Sequence, residues 1–176
     1  NDRIVRVKIA AADALDGQQK YEDSRKRYLG IVEHHGKHAL AADALYFAAF
    51  AALQLKQHDN VIADAKTFLG KYPKHEFQPG VAKFLEESRL LKSSDLIQDK
   101  KYAEVVEILS ASIKDSPQGS RVDESKYLLA RSHAALGEID AANGYYAEVV
   151  EILAASIKDN PQGSRVVENL LRLAIT

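Results

Sequence analysis

Residues 102–122 read YAEVVEILSASIKDSPQGSRV, and residues 146–166 read YAEVVEILAASIKDNPQGSRV. The two stretches differ only at Ser110/Ala154 and Ser116/Asn160 and lie 44 residues apart. Self-similarity at a fixed period marks a repeat architecture, in which each unit buries its apolar face against its neighbours. A fainter pair lies upstream: KYEDSRKRYLGIVEHHGKH from Lys20 and QHDNVIADAKTFLGKYPKH from Gln57, 37 residues apart. Four units result, two near 37 residues and two near 44. The difference of seven residues is about two helical turns, so it lengthens a helix without rotating its apolar face away from its neighbours.

The units have helical periodicity. Tyr102, Val105, Val106, Leu109 and Ile113 recur at i, i+3, i+4, i+7 and i+11 and form one apolar stripe. Glu104, Glu107 and Lys114 lie off it. The unit ends are legible too. In DSPQGS at 115–120, Pro117 cannot continue a helix and Gly119 can take φ > 0. Ser120, and Ser164 in the copy, are placed to cap the helix that follows. His35-Gly36 and Tyr72-Pro73 hold the equivalent place in the earlier units.

The expected fold is all-α, with about nine helices near 3–15, 20–35, 39–56, 59–71, 79–93, 96–115, 121–136, 139–159 and 164–175. Short connections make consecutive helices antiparallel neighbours. Asn143-Gly144 is read through as helix, because Asp99-Lys100 at the equivalent place also reads as helix. The extra seven residues of the later units are expected in their second helices. A single repeat domain over 1–176 follows, with units about 3–38, 39–75, 79–119 and 120–163 and a terminal helix at 164–176.

Composition narrows the function. Lys and Arg number 24 and Asp and Glu 25, a formal net charge of −1, so no long-range field draws in nucleic acid or an anionic membrane. Neither is expected as a partner. A hydrophobic fraction of 46% supports a real core. With no Cys, disulfides, thiolate metal sites and Cys nucleophiles are excluded. Met and Trp are also absent. The longest apolar run, ALYFAAFAAL at 44–53, is half the roughly 20 residues that span a bilayer. The opening NDRIVRVKIA is too charged for a signal-peptide core. The compartment stays open; for a natural chain, bacterial cytoplasm or periplasm is expected.

Few residues suggest chemistry. His34 and His38 sit at i, i+4 with His35 between them, but Gly36 ends the helix there and no ligand beyond Glu33 completes a metal site. A helix end that welcomes His against its negative pole is the expected reading. His133 reads as a packing residue, and Arg25-Lys26-Arg27 as an exposed face paired with Glu22 and Asp23. No phosphate loop, GxSxG or HExxH occurs. No enzyme, cofactor or metal is expected.

Leu136-Gly137-Glu138-Ile139-Asp140-Ala141-Ala142 forms an inter-helix turn with Gly ending one helix and Ile139 opening the next. The stretch Leu55–Ile62 follows it more loosely, with Lys56 in the Gly place, and Phe68-Leu69-Gly70-Lys71-Tyr72-Pro73 ends a unit. These stretches resemble the tetratricopeptide repeat family, the last of them its bacterial cell-envelope branch. The resemblance implies an α-solenoid of stacked antiparallel helix pairs, wound as a right-handed superhelix whose first helices line a concave groove. It places Asp43, Tyr46 and Phe50 on that groove from the third helix and Glu124, Tyr127 and Arg131 from the seventh. The family's peptide-binding members grip a C-terminal carboxylate with Lys, Asn and Arg; Tyr46 and Phe50 here imply an apolar or aromatic-bearing ligand instead. The alternative that Tyr46 and Phe50 pack against the next unit stays open.

Two purposes fit. One is an engineered solenoid without an evolved ligand, suggested by the near-exact 21-residue copy, the missing Met, Cys and Trp, and the lack of an initiator Met, as in a trimmed chain. The other is a natural adaptor holding a peptide or protein, suggested by the irregular first half. The last stretch, SRVVENLLRLAIT, is rich in apolar residues. Val167, Leu170, Leu171 and Ile175 are the expected self-assembly surface of a homo-oligomer.

Overall fold

The computed structural model of the chain describes residues 2–159. These residues form eight α-helices and no strand: α1 Asp2–Asp16, α2 Tyr21–His35, α3 Ala41–Gln54, α4 His58–Lys71, α5 Gln78–Gln98, α6 Tyr102–Asp115, α7 Val122–Ala135 and α8 Ile139–Asp159. The ninth expected helix and the surface of Val167, Leu170, Leu171 and Ile175 lie outside the described residues. Consecutive helices pack against each other, so the all-α, stacked-hairpin expectation holds. The chain divides into two compact units between Ser88 and Arg89, inside α5.

The first unit is built around α3. Ala41, Ala44, Ala48 and Ala51 on this helix are all fully buried. Such small side chains let neighbouring backbones approach closely. Ala44 and Ala48 meet Val5 and Ala12 of α1 and Tyr28 and Ile31 of α2. The other face of α3 presents Ala42 and Leu45 to Ala65 and Phe68 of α4 and to Val81 and Leu85 of α5. Tyr28 is buried with its hydroxyl donating to Asp13 Oδ1 at 2.7 Å, so the polar end of a core side chain is satisfied. In the second unit, Leu90, Leu96, Val105, Leu109, Leu128 and Leu129 form the core. Burial of each such large side chain contributes about 1.5–3 kcal/mol.

One turn closes all four hairpins. Gln19, Lys56, Lys100 and Gly137 have φ of 59°, 56°, 60° and 79°. Each follows the last turn of a helix and donates its N–H three residues back, Gln19 to Asp16, Lys56 to Leu53, Lys100 to Ile97 and Gly137 to Ala134. The next residue donates five back, Lys20 to Leu15, Gln57 to Ala52, Lys101 to Leu96 and Glu138 to His133. This is the Schellman pattern, which satisfies the orphan carbonyls of a helix end. That same next residue opens the following helix: its carbonyl accepts from Ser24, Val61, Val105 and Ala142, respectively. One residue thus finishes one helix and starts another. Accordingly the N-caps Lys20, Gln57 and Lys101 make no side-chain cap bond.

The left-handed residues are 37, 44 and 37 positions apart (19 to 56, 56 to 100, 100 to 137). The connections between hairpins repeat as well. His38 N–H donates to His35 and Ala41 to His38; His75 donates to Tyr72 and Gln78 to His75; Gly119 donates to Ser116 and Val122 to Gly119.

Four expectations need correction. The break between the fifth and sixth helices lies at 99–101, not 94–95, because Ser93 is fully buried and continues the packed face of α5, and Lys100 supplies the left-handed turn. Asp99-Lys100 is therefore a turn, while its counterpart Asn143-Gly144 is helical as expected. The extra seven residues sit in the second helix of the fourth hairpin, α8, but in the first helix of the third, α5; both have 21 residues against 14 in their partners. Finally, α7 starts at Val122 with Arg121 as N-cap and no side-chain cap bond, so Ser120 falls one place before the cap.

Candidate partner-binding surface

The first unit carries a half-buried aromatic cluster on α3, α5 and the 72–77 connection. Tyr46 stacks on Phe77 with ring centres 4.4 Å apart and on Phe84 at 5.4 Å, and meets Phe47 edge-on at 5.2 Å. Phe50 lies 6.4 Å from Phe84, and Phe47 stacks on Tyr28 at 5.6 Å. These spacings are in the favourable range for aromatic pairs. Tyr46 and Phe50 thus reach side chains of the next hairpin. They also keep part of their surface exposed, as do Phe47, Phe77 and Phe84.

Asp43 sits one turn before Tyr46. His75 Nε2 is 3.3 Å from Asp43 Oδ1, and the His75 ring also meets Phe68 edge-on at 5.6 Å. Burial holds the Asp43 carboxyl above its usual value, partly opposed by the neighbouring His75. His75 Nδ1 accepts the Phe77 N–H at 3.3 Å, which fixes the connection carrying Phe77. His38 does the same one hairpin earlier: its Nδ1 accepts the Leu40 N–H at 3.1 Å and its Nε2–H faces Asp2 at 3.1 Å. The signal for this shared role is the Lys-His pair ending both upstream copies, at 37–38 and 74–75. Phe77 and Phe84 were not legible as partners of Tyr46, because that pairing depends on where α5 begins.

In the second unit, Tyr127 meets Tyr146 edge-on at 6.4 Å, and the Arg131 guanidinium lies 5.9 Å from the Tyr127 ring centre. Burial raises the Tyr146 hydroxyl above its ordinary value, with Tyr127 adding to it. Glu124 is buried and paired with Arg121. Among the expected groove residues, the structure therefore joins Tyr127 to Arg131 and places Glu124 beside the start of its helix. His133 stacks on Tyr145 at 5.6 Å and pairs with Glu138, a packing role as expected.

An open depression of about 910 Å³ lies at the end of α2, lined by His34, His35, His38, Lys37, Lys71 and Tyr72 among others. Each histidine there has a nearby partner: His34 lies 3.7 Å from Glu33, His35 Nε2 accepts from Lys8 Nζ at 3.1 Å, and His38 faces Asp2. Among the described residues, no group of three or more His, Asp and Glu side chains is placed to hold a metal ion. No described helix is long and apolar enough to cross a membrane. In comparisons with known proteins, no family model and no curated protein matches the chain.

Proposed function

We propose that the chain is a non-enzymatic helical-repeat scaffold of tetratricopeptide type that holds a peptide or protein partner on the half-exposed aromatic side chains of its first unit. The observation that carries this reading is the fourfold recurrence of one left-handed hairpin turn, at 19, 56, 100 and 137, which supports a serial array of hairpins. Tyr46, Phe50, Phe77 and Phe84 offer rigid aromatic area, the chemistry enriched in partner contacts. Arg131 over Tyr127 supplies a second contact point.

The test is affinity capture of partners from a bacterial lysate with the intact chain, repeated with Phe50→Ala and Tyr127→Ala. Loss of a specific partner with either variant, at unchanged helix content, supports the reading. Capture that ignores both substitutions removes these side chains from it.

A second reading, an engineered or duplicated array with no evolved ligand, is favoured by the near-exact copy at 102–122 and 146–166. The three non-glycine residues at positive φ favour the first reading, since idealised arrays place Gly there. The two readings separate on thermal unfolding. A midpoint above about 90 °C marks an idealised array, and one near 45–65 °C marks an ordinary natural domain.

A further inference from the structure

The two upstream copies end on basic residues, HHGKH at 34–38 and KYPKH at 71–75, whereas the later copies end on KDSPQ and KDNPQ, with an acid and no His. The fold sets the two basic ends side by side within the first unit. The Tyr72 hydroxyl, just past α4, lies 3.5 Å from the Gly36 carbonyl oxygen, just past α2. Both residues line the open depression of about 910 Å³ at the end of α2. Gly36 adds no side chain to fill it.

The rim of this depression is cationic. Lys37 and Lys71 line it, both exposed, and neither is paired with another side chain among the described residues. Lys8 of α1 reaches the same place, where its ammonium donates to His35 Nε2 at 3.1 Å rather than to a carboxylate. His34 and His38 complete the rim. The carboxylates nearby are Glu33, 3.7 Å from His34, and Asp2, which is shared between His38 and Arg6. Positive charge still dominates at His35: its limited solvation, then Lys8, His34 and His38, lower its proton affinity. The formal net charge of the chain is −1, so attraction for anions is local to the depression rather than a property of the whole surface.

We infer that the depression is a binding site for an acidic peptide segment, whose carboxylates meet Lys37, Lys71 and Lys8 while its backbone N–H groups meet the end of α2. The last carbonyls of a helix have no partners within it, so a lone phosphate or sulfate would face their oxygens as well as the lysines. A peptide brings donors and acceptors together. The depression is also as large as those that hold drug-sized ligands, far more than one small anion fills. Below about pH 6.5 the histidines add to the attraction, because a protonated His35 cannot accept from Lys8 and so frees that ammonium for the ligand. The site shares no residue with Tyr46, Phe50, Phe77 and Phe84, and it does not rest on the partner-binding reading of those side chains.

Isothermal titration calorimetry of the intact chain with hexa-aspartate tests it, in low salt at about pH 6 and about pH 8. One variant, Lys37→Gln with Lys71→Gln, strips the rim. A second, Lys26→Gln with Lys66→Gln, removes the same charge from exposed places on α2 and α4 outside the depression. All four positions are exposed, so folding is preserved, with far-UV circular dichroism as the check. The wild type is expected to bind the peptide, more tightly at the lower pH. The rim variant is expected to bind at least about tenfold more weakly and the second variant about as well as the wild type. Inorganic phosphate is expected to bind far more weakly than the peptide. A wild type that takes up no peptide overturns the inference, and so does an equal loss in both variants. Phosphate binding as tight as the peptide's overturns the peptide assignment, and an affinity unchanged between the two pH values overturns the part given to His35.

Discussion

The guanidinium of Arg25 on α2 donates to the Asp64 carboxylate on α4 at 2.7 Å, with only 17% and 12% of the two side chains exposed. The pair ties the second helices of adjacent hairpins together. Removing one partner strands the other charge in poorly solvated surroundings. Asp64→Ala is therefore expected to lower stability by roughly 3 kcal/mol, while the apolar double change Arg25→Met with Asp64→Leu recovers most of it. Urea denaturation measures both. A double variant as weak as the single one would show that the pair's value lies elsewhere.

Acid titration is expected to show two opposing effects. Burial holds the Asp64 and Asp43 carboxyls above their usual values, partly opposed by Arg25 and His75. The folded state then binds more protons than the unfolded state above about pH 3.8, so this contribution improves as pH falls toward that value. His35 goes the other way. Its limited solvation, then Lys8, His34 and His38, lower its proton affinity, so stability is lost as pH falls through about 6.5. His35→Gln should flatten the fall of the denaturation midpoint below about pH 6.5, and Asp64→Asn should remove part of the gain as the pH falls toward about 3.8. A wild-type limb unchanged by His35→Gln would assign that region to other groups.

Three of the four hairpin turns place a side chain where glycine is cheaper. Lys56→Gly and Lys100→Gly, at φ of 56° and 60°, are each expected to stabilise by roughly 0.5–1 kcal/mol. Gly137→Ala is expected to cost a similar amount, through backbone conformation alone, since nothing lies within 4 Å of a Cβ there. Chemical denaturation of the three variants should give opposite signs for lysine loss and glycine loss.

Gly36 and Gly144 are expected to respond oppositely to alanine. A Cβ on Gly36 would meet the Val32 carbonyl oxygen at 2.7 Å, so the end of α2 must shift and stability falls. Gly144 lies inside α8 with nothing within 4 Å, so Gly144→Ala stabilises by about 1 kcal/mol. A destabilising Gly144→Ala would mean that α8 needs flexibility at that point.

The helical class and most helix positions were legible because the Tyr102–Ile113 stripe and the Pro117-Gly119 stop are local signals. The Asp99–Lys101 turn was not. It uses no Gly or Pro, and its left-handed residue is a lysine stabilised only by the closing of two helix ends. Lys56 showed the same device, visible only as a departure from glycine. Tyr46 and Phe50 were legible as a pair on one helical face, but their rings' partners are Phe84, on a helix whose start sits 37 residues beyond that of α3, and Phe77, in the connection just before it. Such pairing depends on tertiary register rather than on spacing along one helix.

The segment at 102–115 begins its helix directly after a turn, while its copy at 146–159 is the far end of a helix already two turns long. The same words therefore work as an opening or as a close, provided the shift is seven residues, which returns each side chain to nearly the same bearing. For a gene this is permissive. Unequal crossing-over within such a segment, or the gain of seven codons before it, yields a chain that still folds. Growth of the array by recombination needs no simultaneous repair of its core.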